Sequence, residues 1–202
     1  FPLTNKAISG QYSPGSTFKM MVALAALEGA ILNPNNEFFC SGYIELGNRR
    51  FHCWKRSGHG LMNMNSGLVQ SCDVYFYEVA KRVGVDGIAA MARRFGLGER
   101  LGIELPSEQK GLVPTRDWKL AVHGVPWQKG ETLNIGIGQG FLLTTPLQLA
   151  IMTARIANGG IAVLPKLLRE TQRVGRRLPD TREAFPSIGL SAAHLAVVQK
   201  GM

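Results

Sequence analysis

The chain has 202 residues, 45% of them hydrophobic and 18% charged. That length supports one or two domains with a sizeable core, and that balance excludes a disordered or collagen-like chain. The net charge of +9 invites a nucleic-acid partner, but the sequence argues against one. Its compact basic clusters are Arg49-Arg50, Arg93-Arg94 and the run from Arg173 to Arg177, with no interleaved aromatics and no recognisable binding motif. Attraction to anionic lipid headgroups or to a pyrophosphate-bearing substrate accounts for the same charge. Phe1 is not an initiator Met, no signal-like or membrane-spanning stretch precedes it, and the chain stops abruptly at Met202. These ends are those expected of a piece of a longer protein.

In chain order, the first helix is predicted from Ser16 to about Gly29, apolar nearly all round and therefore central. Residues 33–63 read as a loop-rich excursion, with a hairpin turn at Gly47-Asn48. Helical patterning returns at 65–71 and at 73–83, closed by Gly84. A further helix is predicted over 86–95, with Asp86 as its N-cap and Gly96 beyond its end. Residues 97–140 are rich in Gly and Pro and read as ordered loops with little regular structure. "TTPLQLAIMTARIANGG" predicts a helix capped by Thr145, with Pro146 in its first turn and Gly159 as terminator. The basic, proline-punctuated stretch 171–189 reads as a surface linker, and Ser191 as the cap of a last helix. The sum is an α-rich lobe without a convincing sheet.

The chemistry concentrates in "YSPGSTFKM". In an α-helix Ser16 and Lys19, three residues apart, share one face about 4.5 Å apart along the axis. Pro14-Gly15 places Ser16 at the helix N-terminus, where backbone N–H groups favour a developing oxyanion. The plain alternative is a serine cap beside a lysine that reaches for water. For Lys19 to take a proton from Ser16 its amine must be neutral. For a lysine of ordinary pKa that costs on the order of 4 kcal/mol at neutral pH, which burial and a neighbouring cation can supply.

A second motif, "SCD" at Ser71, Cys72 and Asp73, stands directly before an amphipathic helix. Together with "YSPGSTFK", "WKRSGHG", "PTRDWK" and "NIGIGQGFLLTTPLQLA", in that relative order over about residues 1–170, it resembles the class B penicillin-binding proteins. Within them it is similar to the elongation-type branch, the penicillin-binding protein 2 group. The resemblance implies the helical lobe of an α/β penicillin-binding/β-lactamase-like transpeptidase domain, with most of the antiparallel sheet absent from this chain. It implies Ser16 as acylated nucleophile, Lys19 as its base, Ser71 as proton relay to the leaving amine, and Asp73 in contact with the lysine network or substrate. The implied reaction is D,D-transpeptidation of peptidoglycan stem peptides ending in D-Ala-D-Ala, with penicillins and other β-lactams acylating the same serine.

The implied setting is the periplasmic side of the bacterial inner membrane. There an N-terminal helix outside this chain would be the anchor, and a membrane glycosyltransferase of the elongation machinery the partner. Two departures stand out. Asp73 occupies the place of a more familiar Asn, and no KTG or KSG occurs in the chain. The missing strand would supply a substrate-docking edge and one oxyanion N–H, so residues 1–202 alone are expected not to turn over substrate. Serine β-lactamases and β-lactam sensors share the chemistry, but no clear Glu-containing loop for a deacylating water is evident. A non-catalytic scaffold for wall-building partners is the alternative from another class.

Cys40, Cys53 and Cys72 lie within 33 residues, with His59 among them. Three thiolates and one imidazole form a closed tetrahedral zinc set, although the short C-x2-C knuckle is missing. A Cys40–Cys53 disulfide with Cys72 free, or three buried thiols, are the alternatives. A metal held by Cys72 would pin the Ser71–Asp73 loop to the excursion. His52 is a substitute ligand for His59. His123 and His194 read as surface or loop histidines, and Trp54, Trp118 and Trp127 as loop anchors. Gly136, Gly138 and Gly140 lack the strand-and-helix context of a phosphate loop and read as glycines allowing tight packing behind the active site.

Overall fold

A computed structural model of the chain describes residues 4–167 and 185–202. Its centre is the apolar segment after Ser16, in two parts. Gly15–Phe18 forms one 3₁₀ turn, and the α-helix proper follows at Lys19–Glu28. A short helix, α1 (Lys6–Ser9), precedes them, so Lys19–Glu28 is α2. Every α2 residue from Met21 to Leu27 is buried. Such a segment is stable only inside other helices. Those are α4 (Asp73–Arg94) and α8 (Ala192–Gly201), with α3 (Met64–Val69) packed against both α4 and α8. α7 (Pro146–Ala157) starts as predicted: Thr145 Oγ1 accepts the Gln148 N–H, and the Gln148 side chain accepts the Thr145 N–H in return.

The expected α-rich lobe is what the described residues form: eight α-helices and two small antiparallel sheets. Both sheets lie in the excursion. β1 (Phe38–Cys40) pairs with β4 (Gly60–Met62), and between them β2 (Tyr43–Leu46) pairs with β3 (Arg49–His52) across the predicted Gly47-Asn48 turn.

Four expectations need correction. The two helices predicted over 73–83 and 86–95 are a single α4, kinked at Gly84 (φ 78°, ψ 159°), a backbone state glycine reaches at little cost. Asp86 therefore caps nothing of its own: Oδ1 accepts the Arg116 N–H at 3.1 Å and Oδ2 pairs with Arg116 Nε at 3.3 Å. Ser191 occupies the N-cap position of α8, but its side chain makes no capping bond, and its N–H goes to Glu28 Oε1 at 3.0 Å.

Residues 97–140, read as loops, hold two helices, α5 (Arg116–His123) and α6 (Lys129–Gly136). α5 inverts the usual pattern, burying Lys119 (5% exposed) while Leu120 and Val122 are 57% and 60% exposed. The amine explains it: Lys119 pairs with Glu131 of α6 beneath the rings of Trp127 and Phe141. Of the expected linker, residues 171–184 lie outside the described residues. Residues 185–189 run beside the end of α7, with Ile188 N–H donating to Gly160 O at 2.8 Å.

Candidate active site

Ser16 is exposed and Lys19 is buried at 1% exposure. The 3₁₀ turn sets their relation, because residues three apart on such a turn eclipse one another at a rise of about 2 Å per residue. Their separation along the axis is thus about 6 Å, more than an α-helix would give. Lys19 Nζ donates to Ser71 O at 2.8 Å, Ser71 Oγ at 3.0 Å and Asp73 Oδ1 at 2.7 Å. Three acceptors match the three N–H bonds of an ammonium. Burial of the amine is as expected, but its charged neighbour is a carboxylate where the sequence reading asked for a cation. The Phe76 ring, 5.7 Å from Nζ, closes the remaining side.

Ser71 reaches this arrangement through an uncommon backbone, with φ at +50°. A non-glycine residue there costs on the order of 1 kcal/mol and persists only when its surroundings hold it. Asp73, the first residue of α4, uses both oxygens: Oδ1 meets Lys19 and Oδ2 accepts the backbone N–H of Trp54 at 2.8 Å. The indole Nε1 of Trp54 donates to Gln70 O and Ser71 O, each at 3.1 Å. Trp54 was expected to be a loop anchor; it is 63% exposed and its polar groups are turned to the Ser71–Asp73 loop. Trp118 stands on α5 rather than in a loop, and it packs with the loop residue Trp127 around Phe141, where Trp127 Nε1 donates to Thr132 Oγ1 at 2.8 Å.

Cys40, Cys53 and Cys72 are free and buried, and their sulfurs lie with one His59 ring nitrogen within 4.8 Å of one another. His59 Nδ1 stands 3.6 Å from Cys40 Sγ and 3.5 Å from Cys53 Sγ. Around a tetrahedral zinc with ordinary bond lengths, a ring nitrogen and a sulfur lie about 3.6 Å apart. The donor set therefore fits that ion in kind and spacing. His59 Nε2 is buried without a hydrogen-bond partner among the described residues.

Burial pushes the Cys72 thiol up from its ordinary pKa. Burial and then the Lys55 charge push the His59 imidazole down, keeping it a neutral donor. His52 is not part of this group; it is exposed on β3 with its ring beside Tyr43. His123 is exposed at the end of α5, and His194 Nδ1 meets Glu28 Oε1 at 2.7 Å, tying α8 to α2.

Behind the nucleophile, Gly15 N–H donates to Gly138 O at 2.9 Å, and a Cβ on Gly138 would stand 2.1 Å from Gly15 O. Two further bonds lock the Ser16 approach to this loop: Tyr12 N–H to Thr144 O and Thr144 N–H to Tyr12 O. Gly136, where a Cβ would stand 2.6 Å from Ala80 Cβ, and Gly138 thus serve close packing, as the sequence predicts, whereas Gly140 is exposed and its place is set by its φ of +77°. Gly138 also has φ +70°. Gly138→Ala is expected to lose at least about 2 kcal/mol of stability, read as a lowered urea midpoint with unchanged slope.

Comparison with known proteins gives the same assignment from three sides. The family model for the penicillin binding protein transpeptidase domain matches residues 1–202. The peptidoglycan D,D-transpeptidase MrdA of Acinetobacter baumannii is 39% identical over 211 residues, covering 99% of this chain and 31% of that protein. The complex of penicillin-binding protein PBP2 with MreC from Helicobacter pylori superposes with a TM-score of 0.88 at 33% identity, over 100% of this chain and 36% of that one. A peptidoglycan synthase complex solved to show how polymerization and crosslinking are coordinated gives 0.86 at 35% identity, over 100% and 33%. The chain spans about a third of the length of these relatives. With Lys19 held by the Ser71–Asp73 loop and its backbone N–H bonded to the carbonyl of Ser16 one 3₁₀ turn before it, this chain belongs to the penicillin-binding protein transpeptidase domain family.

Proposed function

We propose that this chain carries the nucleophile half of a serine D,D-transpeptidase that cross-links peptidoglycan stem peptides. The observation that carries the reading is the buried Lys19 amine, held by Ser71 and Asp73, on a residue one 3₁₀ turn after an exposed Ser16. Ser16 Oγ attacks the penultimate D-Ala carbonyl of a donor stem and gives its proton to Lys19 as the tetrahedral oxyanion forms. Lys19 must be neutral at that moment, and the acceptors already on it, Asp73 Oδ1 and Ser71 Oγ, are the groups through which its own proton can pass. Collapse expels D-Ala, whose nitrogen takes a proton relayed through Ser71 Oγ. The amine of a second stem then attacks the acyl-enzyme, forms the cross-link and frees Ser16. The backbone N–H of Ser16 supplies one donor to the oxyanion.

A β-lactam presents a strained amide to the same serine and stays attached as a penicilloyl ester. The setting in this reading is the outer face of the bacterial cytoplasmic membrane, with the anchor outside these residues. No described helix is long and apolar enough to cross a membrane. The relatives solved with MreC and in a complex that coordinates polymerization and crosslinking support a partner for assembly, which in this reading is a membrane glycosyltransferase.

In the full-length protein, benzylpenicillin is expected to leave a stable adduct on Ser16, mapped by mass spectrometry and abolished by Ser16→Ala. An adduct lost within seconds points to a β-lactamase, and no adduct refutes the reading.

Zinc held by Cys40, Cys53, His59 and Cys72 is the second part of the proposal. The ion would act structurally, fixing the backbone at Cys72 between Ser71 and Asp73. Binding must displace thiol protons, so affinity falls as pH falls. Protein purified without chelator is expected to contain about one zinc per chain. Chelation or His59→Ala should lower the thermal midpoint and slow acylation of Ser16. Metal-free protein, or a Cys40–Cys53 bridge in a peptide map, refutes it.

A further inference from the structure

The contacts of Trp54 form a pattern that the reaction outlined above does not use. Its indole N–H reaches the carbonyls of Gln70 and Ser71, each at 3.1 Å. Its backbone N–H separately reaches Asp73 Oδ2 at 2.8 Å. Between these two anchors sits Ser71 at φ +50°, a conformation that a side-chain-bearing residue adopts only when something holds it. In that twist the carbonyl and hydroxyl of Ser71 both face one amine, at 2.8 and 3.0 Å from Lys19 Nζ. A carbonyl oxygen has two lone pairs, and at Ser71 they are shared between Lys19 and the indole. Trp54 hydrogen-bonds neither Ser16 nor Lys19 among the described residues, so whatever it does for the chemistry passes through Ser71.

We propose that Trp54 is a positioning residue: its indole N–H holds Ser71 in the left-handed conformation that aims the Ser71 hydroxyl at Lys19. This rests on the roles given above to Ser16, Lys19 and Ser71. The side-chain arm is separable from the backbone arm, since Trp54→Phe deletes the indole N–H, keeps an aromatic ring beside His59 and leaves the N–H to Asp73 in place. It is also separable from the metal proposal, because no candidate ligand is altered.

The test is stopped-flow acylation of the full-length protein by a fluorescent penicillin, which resolves initial binding from the acylation rate constant. Trp54→Phe is expected to lower the rate constant about ten-fold and to leave initial binding within about two-fold. In a Ser71→Ala background the same substitution should change the rate less than about two-fold, because no hydroxyl remains to be aimed. A merely structural tryptophan would show the same loss in both backgrounds. Should Trp54→Phe fail to fold, benzothienylalanine at position 54 replaces the N–H with sulfur in a ring of the same shape and yields the same comparison. Unchanged acylation in the variant that folds, or an equal loss with and without the Ser71 hydroxyl, overturns the proposal. Failure of the unsubstituted protein to acylate at all overturns the transpeptidase reading and this proposal with it.

Discussion

The structure is organised around one buried amine. Lys19 is all but removed from water, and a buried ammonium or amine survives only if its hydrogen bonds are made elsewhere. Here the partners come from 52 and 54 residues further along the chain. That requirement fixes the rest. α2 must be apolar on all sides because it carries Lys19 into the middle of the lobe. α4 must begin at Asp73, so that its first carboxylate arrives at the amine. The loop between α3 and α4 must turn through a left-handed Ser71, so that one residue can offer two oxygens to one nitrogen.

Holding that loop is the business of the excursion. Residues 53 and 54 alternate with residues 71 to 73: Cys53 and Cys72 belong to the sulfur and imidazole cluster, while Trp54 reaches Ser71 with its indole and Asp73 with its backbone. The two small sheets therefore do more than fill a gap in the helical lobe. β1 and β4 bring Cys40 opposite Gly60, next to His59. The β2–β3 ribbon ends at His52, whose carbonyl accepts the Tyr77 hydroxyl of α4 at 3.0 Å. Each strand is too short to be stable alone, so the cluster and the packing on α4 must hold the excursion, which in turn holds the loop.

What the sequence disclosed follows from which interactions leave a periodic or spaced signal. Apolar runs and caps made α2 and α7 legible, and Gly47-Asn48 made the β2–β3 turn legible. The Ser16–Lys19 and Ser71–Asp73 motifs pointed to the candidate site because their spacing is local, and the structure joins Lys19 to Ser71 and Asp73. α5 escaped because it turns aliphatic residues outward and a lysine inward, which its tertiary partner Glu131 makes tolerable. α6 escaped because Gly130 and Gly136 weaken its helical pattern; both lie close to other groups, Gly136 against Ala80 and the Phe76 carbonyl of α4. Trp54 was misread for a different reason: an indole bonded to a main-chain carbonyl leaves no trace in the partner's identity.

The aspartate at position 73, where asparagine was the more familiar choice, has a geometric cause in the same residue. Both of its oxygens face donors, the Lys19 amine on one side and the Trp54 backbone N–H on the other. An asparagine could satisfy one of them with its carbonyl, but its NH2 would then face the other, donor against donor. Rotating the amide only moves the conflict from one partner to the other. Only a carboxylate accepts on both sides, so the excursion's Trp54 N–H and the choice of Asp over Asn are one arrangement. It also places a carboxylate 2.7 Å from the Lys19 amine, so the charged group paired with that amine is an anion and not a second cation.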